Sequence, residues 1–307
     1  MYVGEKKLDK TTDKRTLIAI PCYNEETTIG TVVLKAKMYA DAVLVVDDGS
    51  TDGTATVAEY AGAKVLRHGE NKGYGAAIQS CFKYARKNNF DILTIIDGDG
   101  QHNPDSIPSI VHPIVEGTAD VAIGSRLIGG NGKNIPHYRK FGINVLTRFT
   151  NIGSKKSQRV MDGQSGFRAY SRKAIESLDL KDDDMGVSAE ILMQGRKKEL
   201  EYTEIPISCR YDLEGSTKKP IGHGLGVILS ILQYMEVEHS LLFFGIPGLI
   251  LFFLGLGFGS KVYLDYLASG VLAIGNAFLS ICLCVFGLLS GMTGLILHAV
   301  INAGRRI

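Results

Sequence analysis

The chain contains no tryptophan, and its five cysteines include no CxxC pair. Cys22, Cys81, Cys209, Cys282 and Cys284 are odd in number and two lie in an apolar run. That argues against a disulfide framework or a zinc site and for a reducing compartment. Net charge is scarce, +2 over 307 residues, so bulk charge gives no argument for nucleic acid. The basic residues also lack the interleaved aromatics of a base-stacking surface. No GxxxxGK[ST] phosphate loop is present, which removes an ATPase-type site. The first fifteen residues, MYVGEKKLDKTTDKR, lack an apolar core, so no secretory signal is expected and the first domain is expected on the cytoplasmic side. From Ala268 to Ala303 there is no Asp, Glu, Lys or Arg, and that absence is itself a signal.

In the first half, short apolar runs bounded by turn residues recur: TLIAI (16–20), AVLVVDD (42–48), AKVLRH (63–68), DILTIID (91–97) and DVAIGSR (120–126). They read as buried strands. Segments 27–39, 54–61, 75–88 and 105–116 have helix length between them. This alternation predicts an α/β fold with a mostly parallel sheet covered on both faces. In such sheets ligands bind beyond the carboxyl ends of the strands. The unusual residues all sit there: Pro21 to Glu25 after the first strand, Asp47 to Ser50 after the second, Asp97 to Asp99 after the fourth.

Beyond residue 127 the rhythm fades. Residues 135–151 read as a basic amphipathic helix suited to an anionic membrane surface, with an ordinary packed helix as the alternative. A second helix at 222–238 leads into the uncharged stretch 241–260, long enough to cross a hydrocarbon core. KVYLDYL separates it from the second uncharged run, so a two-helix transmembrane hairpin is predicted. Lys218, Lys219, Arg305 and Arg306 flank its outer ends, against Lys261 in the intervening loop. This bias places the first domain and the carboxyl terminus in the cytoplasm. Such spans hold no charge with which to build a transport pathway. Small-residue spacing from Gly287 to Gly291 allows close helix packing and leaves room for a homo-oligomer.

Asp97-Gly98-Asp99 places two carboxylates at a strand end, where they can bind a divalent cation that bridges two phosphates. Gln101 and His102 stand beside them as further ligands or supporting groups. Residues 47–54, DDGSTDGT, read as strand end, turn and helix cap. A carboxylate at that edge is also placed to accept from a nucleobase N–H or from ribose hydroxyls. Asn71-Lys72-Gly73-Tyr74-Gly75 lacks the third glycine of a dinucleotide fingerprint; it reads as a loop before a helix, with Lys72 near a phosphate.

Pro21-Cys22-Tyr23-Asn24-Glu25, VVDDGSTDGT (45–54), Asn71-Lys72-Gly73, DGDGQHNP (97–104), Gly124-Ser125-Arg126 and GQSGFRAYSR (163–172) occur in this order. Together they resemble family-2 glycosyltransferases of the dolichol-phosphate mannose synthase and polyprenyl-phosphate glycosyltransferase type, over about residues 15 to 240. The resemblance implies a GT-A (Rossmann-like) catalytic domain over 15–219 after a tail at 1–14, a juxtamembrane amphipathic helix at 220–240, and transmembrane helices within 241–303, at about 241–260 and 274–300. It implies inverting transfer of a hexose from a nucleotide-sugar (GDP-mannose, UDP-glucose or UDP-GlcNAc) to polyprenyl or dolichyl phosphate, with Mg²⁺ or Mn²⁺, at the cell membrane. Pro21, Tyr23, Glu25 and Asp48 would frame the nucleoside with Lys72 close by. Asp97 would bind the ribose side of the donor and support the metal, with Gly98 also in the nucleotide-sugar site, and Asp99 and Gln101 would be the metal ligands. Arg126, Arg139 and Arg210 match basic positions around the donor and acceptor phosphates, and Ser216 and Lys218 a segment near the acceptor. Arg139 stands in surroundings that depart from the family pattern.

A phosphate acceptor also changes the search for catalytic groups. Its second pKa is ~6, so it is an anion at neutral pH and needs cations around it more than a general base. Arg126, Arg139, Arg168 and Arg210 are the candidates. Asp162 is the candidate for a base or a sugar-hydroxyl contact, with an ion pair to Arg168 as its alternative; Glu190 is a further acid without an assigned place. Two other functions compete. A processive polysaccharide synthase would carry a (Q/R)xxRW element, which a chain without tryptophan cannot supply. A non-catalytic nucleotide-sugar or lipid-carrier binding protein would be expected to lose Asp97 or Asp99.

Overall fold

The computed structural model describes residues 14–128, 147, 159–184, 186–209 and 241–304. The chain divides into two compact units, Met1–Ser230 and Ile231–Ile307.

In the first unit β1 (Thr16–Cys22) is buried at every position, because both of its faces are covered. The chain continues through α1 (Ile29–Ala36), β2 (Ala42–Asp47), α2 (Thr54–Tyr60), β3 (Lys64–Arg67), α3 (Tyr74–Lys87) and β4 (Ile92–Ile95). A short 3₁₀ turn leads to α4 (Ile107–Val115) and β5 (Val121–Ser125). After them come β6 (Arg168–Ser171), α5 (Arg172–Ser177), α6 (Val187–Lys197) and β7 (Tyr202–Pro206). The strands form one sheet in the order β3-β2-β1-β4-β6-β5-β7. Among the described strands, only β6 runs antiparallel to its neighbours β4 and β5.

Alternate residues of β1 feed two cores. Leu17 and Ala19 pack with Leu44, Val46 and the α3 face of Ala77, Ile78, Cys81, Phe82 and Ala85. Ile18 and Ile20 pack with Val43, Val45, the α1 face of Ile29, Val32 and Val33, and α4. Phe82 meets Tyr170 edge-on at 4.9 Å, which ties β6 into the first core. α3 places Arg86 and Lys87 in its last turn, where cations favour the helix dipole. β1 pairs with β2 on one side and with β4 on the other, so the strand order reverses at β1/β4. A crevice opens at the carboxyl ends of strands at such a point. The loops after β1 and β4 therefore meet there.

The second unit contains α7 (Ile246–Ser269) and α8 (Ile274–Gly304). Phe243–Ser269 and Ile274–Ala299 have mean hydropathies of 1.9 and 2.1 and bury little of their surface, so each is long and apolar enough to cross a membrane. The helices approach closely along glycines. A Cβ on Gly248 would lie 2.7 Å from the Gly287 carbonyl oxygen, and one on Gly287 would lie 2.5 Å from the Phe252 nitrogen. Ser280 Oγ donates to the Gly255 carbonyl and Ser290 Oγ to that of Phe244, each at 2.8 Å. Gly287 thus serves packing within the hairpin. KVYLDYL is not the turn expected from the sequence: it continues α7. The helix stops at Gly270, which takes the left-handed conformation (φ 68°) and returns its N–H to the Tyr266 carbonyl. Lys261 and Asp265 are single charges on an exposed helix face, too few to break it.

Candidate functional site

Three loops converge at the crevice. Asn24, in the left-handed region (φ 56°), turns the chain after β1. Its N–H donates to Ser50 Oγ at 2.9 Å, its Oδ1 accepts from the Thr51 N–H at 2.9 Å, and the Glu25 N–H donates to Thr54 Oγ1 at 2.8 Å. Ser50 and Thr54 therefore stitch the loop after β2 to the loop after β1. Thr28 Oγ1 donates to the Gly98 carbonyl at 2.7 Å and lies 3.3 Å from Glu25 Oε2. This sets the Glu25 carboxylate beside the turn that follows β4. Pro21 is buried and Tyr23 half-buried on the same loop.

The adjacent acids Asp47 and Asp48 hold backbone. Asp47 Oδ1 accepts from the Ser50 N–H at 3.1 Å, and its Oδ2 pairs with Arg67 Nε at 3.1 Å. Asp48 accepts from the N–H groups of Lys72 (3.0 Å) and Gly73 (2.9 Å), and His68 Nδ1 lies 2.7 Å away. His68 Nε2 in turn meets Ser80 Oγ at 2.9 Å. An Asp–His–Ser chain suggests a nucleophile, but Ser80 lies in the middle of α3 with its own N–H committed to the helix, so no oxyanion donor accompanies it. The network fixes the 71–73 loop against β2. The amino end of α3 also differs from the phosphate cradle expected there. The Ala76 N–H donates to the Asp183 carbonyl, and the Asp182 and Asp183 carbonyls fill the space beside Gly75 and Gly73. Glu190 supports that cover by accepting from the Lys181 and Asp182 N–H groups.

Asp97 and Asp99 form the centre. Tyr74 Oη donates to Asp97 Oδ1 at 3.1 Å, and Asp99 Oδ1 accepts from the Gln101 N–H at 2.9 Å. Burial and then the Asp99 charge push Asp97 up to about 7, against opposing pulls from Tyr74, Arg126 and Arg168. Glu25 is pushed to about 7 by burial, then by Asp99 and Asp97, and burial raises Asp99 as well. Three half-buried carboxylates, with Asp99 raising both of its neighbours, form an anionic focus. Among the described residues no three His, Cys, Asp or Glu side chains converge into a complete cation cage. The two carboxylates, with Gln101 two residues beyond Asp99, are oxygen donors of the kind that suit Mg²⁺ or Mn²⁺, which take oxygen ligands and few protein carboxylates. Gly166 leaves the Asp97 carboxylate uncrowded, because a Cβ there would lie 2.5 Å from Asp97 Oδ2.

These shifts have a consequence for stability. A carboxyl group whose pKa is higher folded than unfolded binds more protons in the native state, so stability falls as pH rises between the two values. Glu25 and Asp97 place that window between about 4 and 7. Carboxylates with lowered values, Asp52, Asp120 and Asp162, act below it, while buried His102, pushed down to about 4, offsets part of the effect because it favours the native state as pH rises toward 6.5. The ligand-free protein is therefore expected to melt about 5 °C lower at pH 8 than at pH 5. A thermal scan at the two values checks this; an equal or higher melting point at pH 8 would show that the carboxylates do not repel.

Arg126 follows β5 and clasps Asp162. Its Nε and Nη2 each donate at 2.8 Å and its backbone N–H at 3.0 Å. Burial alone would raise Asp162, but Arg126 holds it below the usual carboxylate range. Asp162 therefore departs from both expectations: its partner is Arg126 rather than Arg168, and a fully buried, ion-paired carboxylate is a poor base. Arg168 is also not a phosphate-facing group. It is 2% exposed, and its guanidinium donates to the carbonyls of Ser165 (2.7 Å) and Gly163 (2.8 Å). His102 stands behind Asp97, with Nε2 4.0 Å from Oδ2 and its ring against Phe167 at 5.4 Å. Burial, then Arg126, pushes it down to about 4, so it is a neutral imidazole at physiological pH. Lys72 is exposed. Arg139, Arg210, Ser216 and Lys218 lie outside the described residues. Tyr74 and Gly166, which lie against Asp97, stand out in the sequence only as parts of motifs.

The glycosyl transferase family 2 model matches residues 17–179. The chain is 31% identical to the UDP-N-acetylglucosamine–dolichyl-phosphate N-acetylglucosaminyltransferase of Methanococcus voltae, over 73% of this chain and 98% of that protein. It is 29% identical to the dolichol-phosphate mannosyltransferase of Pyrococcus furiosus, over 76% of this chain and 68% of that protein. Among solved structures, the glucosyl-3-phosphoglycerate synthase of Mycobacterium tuberculosis, in complex with Mn²⁺, uridine diphosphate and glucosyl-3-phosphoglycerate, superposes with a TM-score of 0.55. At 20% identity over 72% of this chain and 80% of that one, the likeness is one of fold, a GT-A-like mixed sheet.

Proposed function

This chain belongs to glycosyl transferase family 2, and from that premise we propose that it transfers a hexose from a nucleotide-sugar to a polyprenyl phosphate at the cytoplasmic face of a membrane, with inversion at the anomeric carbon. The observation that carries this reading is the convergence of Glu25, Asp97 and Asp99 at the β1/β4 crevice, where burial and then the Asp99 charge raise Asp97, and burial, then Asp99 and Asp97, raise Glu25.

Asp97, Asp99 and Gln101 would hold Mg²⁺ or Mn²⁺, which supplies Lewis-acid stabilisation to a departing diphosphate. Pro21, Tyr23 and Glu25 frame the nucleoside, with Asp48 and Lys72 close by. The orienting fork of Asp162 fixes Arg126 as a cation for phosphate. An acceptor phosphate that is already ionised attacks without a base, and Asp162, held in its charged form by Arg126, is not required to be one. Arg139, Arg210, Ser216 and Lys218 complete the acceptor side in this proposal. α7 and α8, each long and apolar enough to cross a membrane, would anchor the chain in the bilayer that holds a lipid phosphate.

The test is a panel of radiolabelled GDP-mannose, UDP-glucose and UDP-GlcNAc supplied with polyprenyl phosphate, scored for a glycolipid labile to mild acid. One donor is expected to give product. Donor binding without product from any of them would favour the binding-protein alternative. A readout besides activity comes from the same carboxylates: Mn²⁺ is expected to raise the melting temperature more at pH 8 than at pH 5, because protons compete for the site at the lower value.

A further inference from the structure

The loop that carries Asp162 follows Val160, which is buried in the first core, but the residue after it has no such anchor. Met161 is 55% exposed, yet the next residue is fully buried. The backbone explains the difference. The Met161 N–H donates to Glu204 Oε2 at 2.7 Å and the Asp162 N–H to Glu204 Oε1 at 2.9 Å. The Gly163 N–H then donates to Thr147 Oγ1 at 3.1 Å. Three consecutive amides of one loop are thus held by side chains, and a single carboxylate takes two of them. Glu204 is borne by β7, whose parallel register sets it beside Ile123 of β5. Arg126 follows the end of that same β5, and the buried Asp162 receives its guanidinium in a two-pronged, charge-assisted contact.

We propose that Glu204 is a positioning residue for Arg126. The carboxylate clamps the 161–162 amides, the clamp fixes Asp162, and Asp162 aims the guanidinium at the phosphate of the reaction. Glu204 itself touches no substrate. This rests on the transferase reading above, in which Arg126 faces phosphate. The strand-borne clamp matters because a fork on a loose loop would lose its aim, and misplacement by about 1 Å costs on the order of 10²-fold in rate.

The test uses the full-length protein in detergent or membranes, with Glu204→Gln, Arg126→Lys and the double variant. Gln keeps the shape but turns an amide NH₂ toward one of the two backbone N–H groups. Hydrogen exchange at Met161 and Asp162 is expected to speed up ~10-fold in Glu204→Gln, with the β1 and β4 amides unchanged. Transfer kcat/KM is expected to fall ~10-fold in the unmodified background but less than ~2-fold in the Arg126→Lys background, where the fork is already lost. Unchanged exchange at residues 161 and 162 would overturn the clamp. An equal fold loss in both backgrounds would overturn the positioning role, since a purely structural defect is indifferent to residue 126. Absence of transfer by the unmodified protein from every donor would overturn the transferase reading instead. The exchange measurement would still decide the clamp.

Discussion

Asp99→Ala is expected to abolish sugar transfer, by at least ~10³-fold in kcat/KM, and to leave the protein folded. The two effects separate because Asp99 makes one local contact, the hydrogen bond from the Gln101 N–H, and otherwise contributes charge. That charge raises both Asp97 and Glu25. Its removal relieves part of the native-state repulsion while the larger effect of burial on Asp97 and Glu25 remains, so the ligand-free variant is expected to melt at or above the unmodified protein at pH 8 and to show a smaller stability change between pH 5 and 8. Its response to Mn²⁺ should vanish as well. Asp99→Asn is a useful companion. It keeps an oxygen to accept from Gln101 but carries no charge, so it should transfer as poorly as the alanine variant. Radiolabelled transfer and thermal scans decide the matter together. An Asp99→Ala protein that still transfers sugar would remove Asp99 from the metal site.

What could be read ahead from the residues follows a physical dividing line. β1 to β5 are legible because runs such as TLIAI and ILTI are apolar on both faces and are punctuated by acids and glycines. The same punctuation points to the crevice, since Pro21–Glu25 and Asp97–Asp99 both follow strands. β6 is hidden because Arg168 and Tyr170 are both buried among the core residues, so its pattern does not alternate between polar and apolar. Arg168 misleads for the same reason. An arginine in a loop-like motif looks available to phosphate, and nothing local reveals that the carbonyls of Ser165 and Gly163 consume its guanidinium. Asp162 finds Arg126 across 36 residues, and Glu204 finds the 161–162 amides across more than 40. Contacts of that range are set by the antiparallel insertion of β6 between β4 and β5, which no short window contains. At the other end of the chain, KVYLDYL looks like a loop because it carries two charges. A helix tolerates them on an exposed face, and the stop comes from a left-handed glycine three residues later.

Gly166→Ala is expected to lower transfer by about 10²-fold while changing the melting temperature by only a few degrees. Gly166 does not occupy the left-handed region, so alanine imposes no backbone strain there. The difficulty is space. The new methyl group would lie 2.5 Å from Asp97 Oδ2, 3.0 Å from Oδ1 and 2.8 Å from Tyr74 Oη. All three atoms are ends of side chains, which can rotate away without moving the sheet. Overpacking of that kind costs about 1 kcal/mol at the lower end of its range, and the reduced freedom of the unfolded chain offsets part of it. Function has no such escape, because the atoms that yield are the Asp97 carboxylate and the hydroxyl that aims it. A methyl group therefore converts a small cost in stability into a large cost in activity. Tyr74→Phe removes only the aiming hydroxyl and should cost less, about 10-fold, which ranks the two contributions. Transfer rates, melting temperatures and Mn²⁺ titrations of the two variants measure the ranking. Gly166→Ala activity within about threefold of the unmodified protein would mean that the carboxylate of Asp97 need not sit where it does.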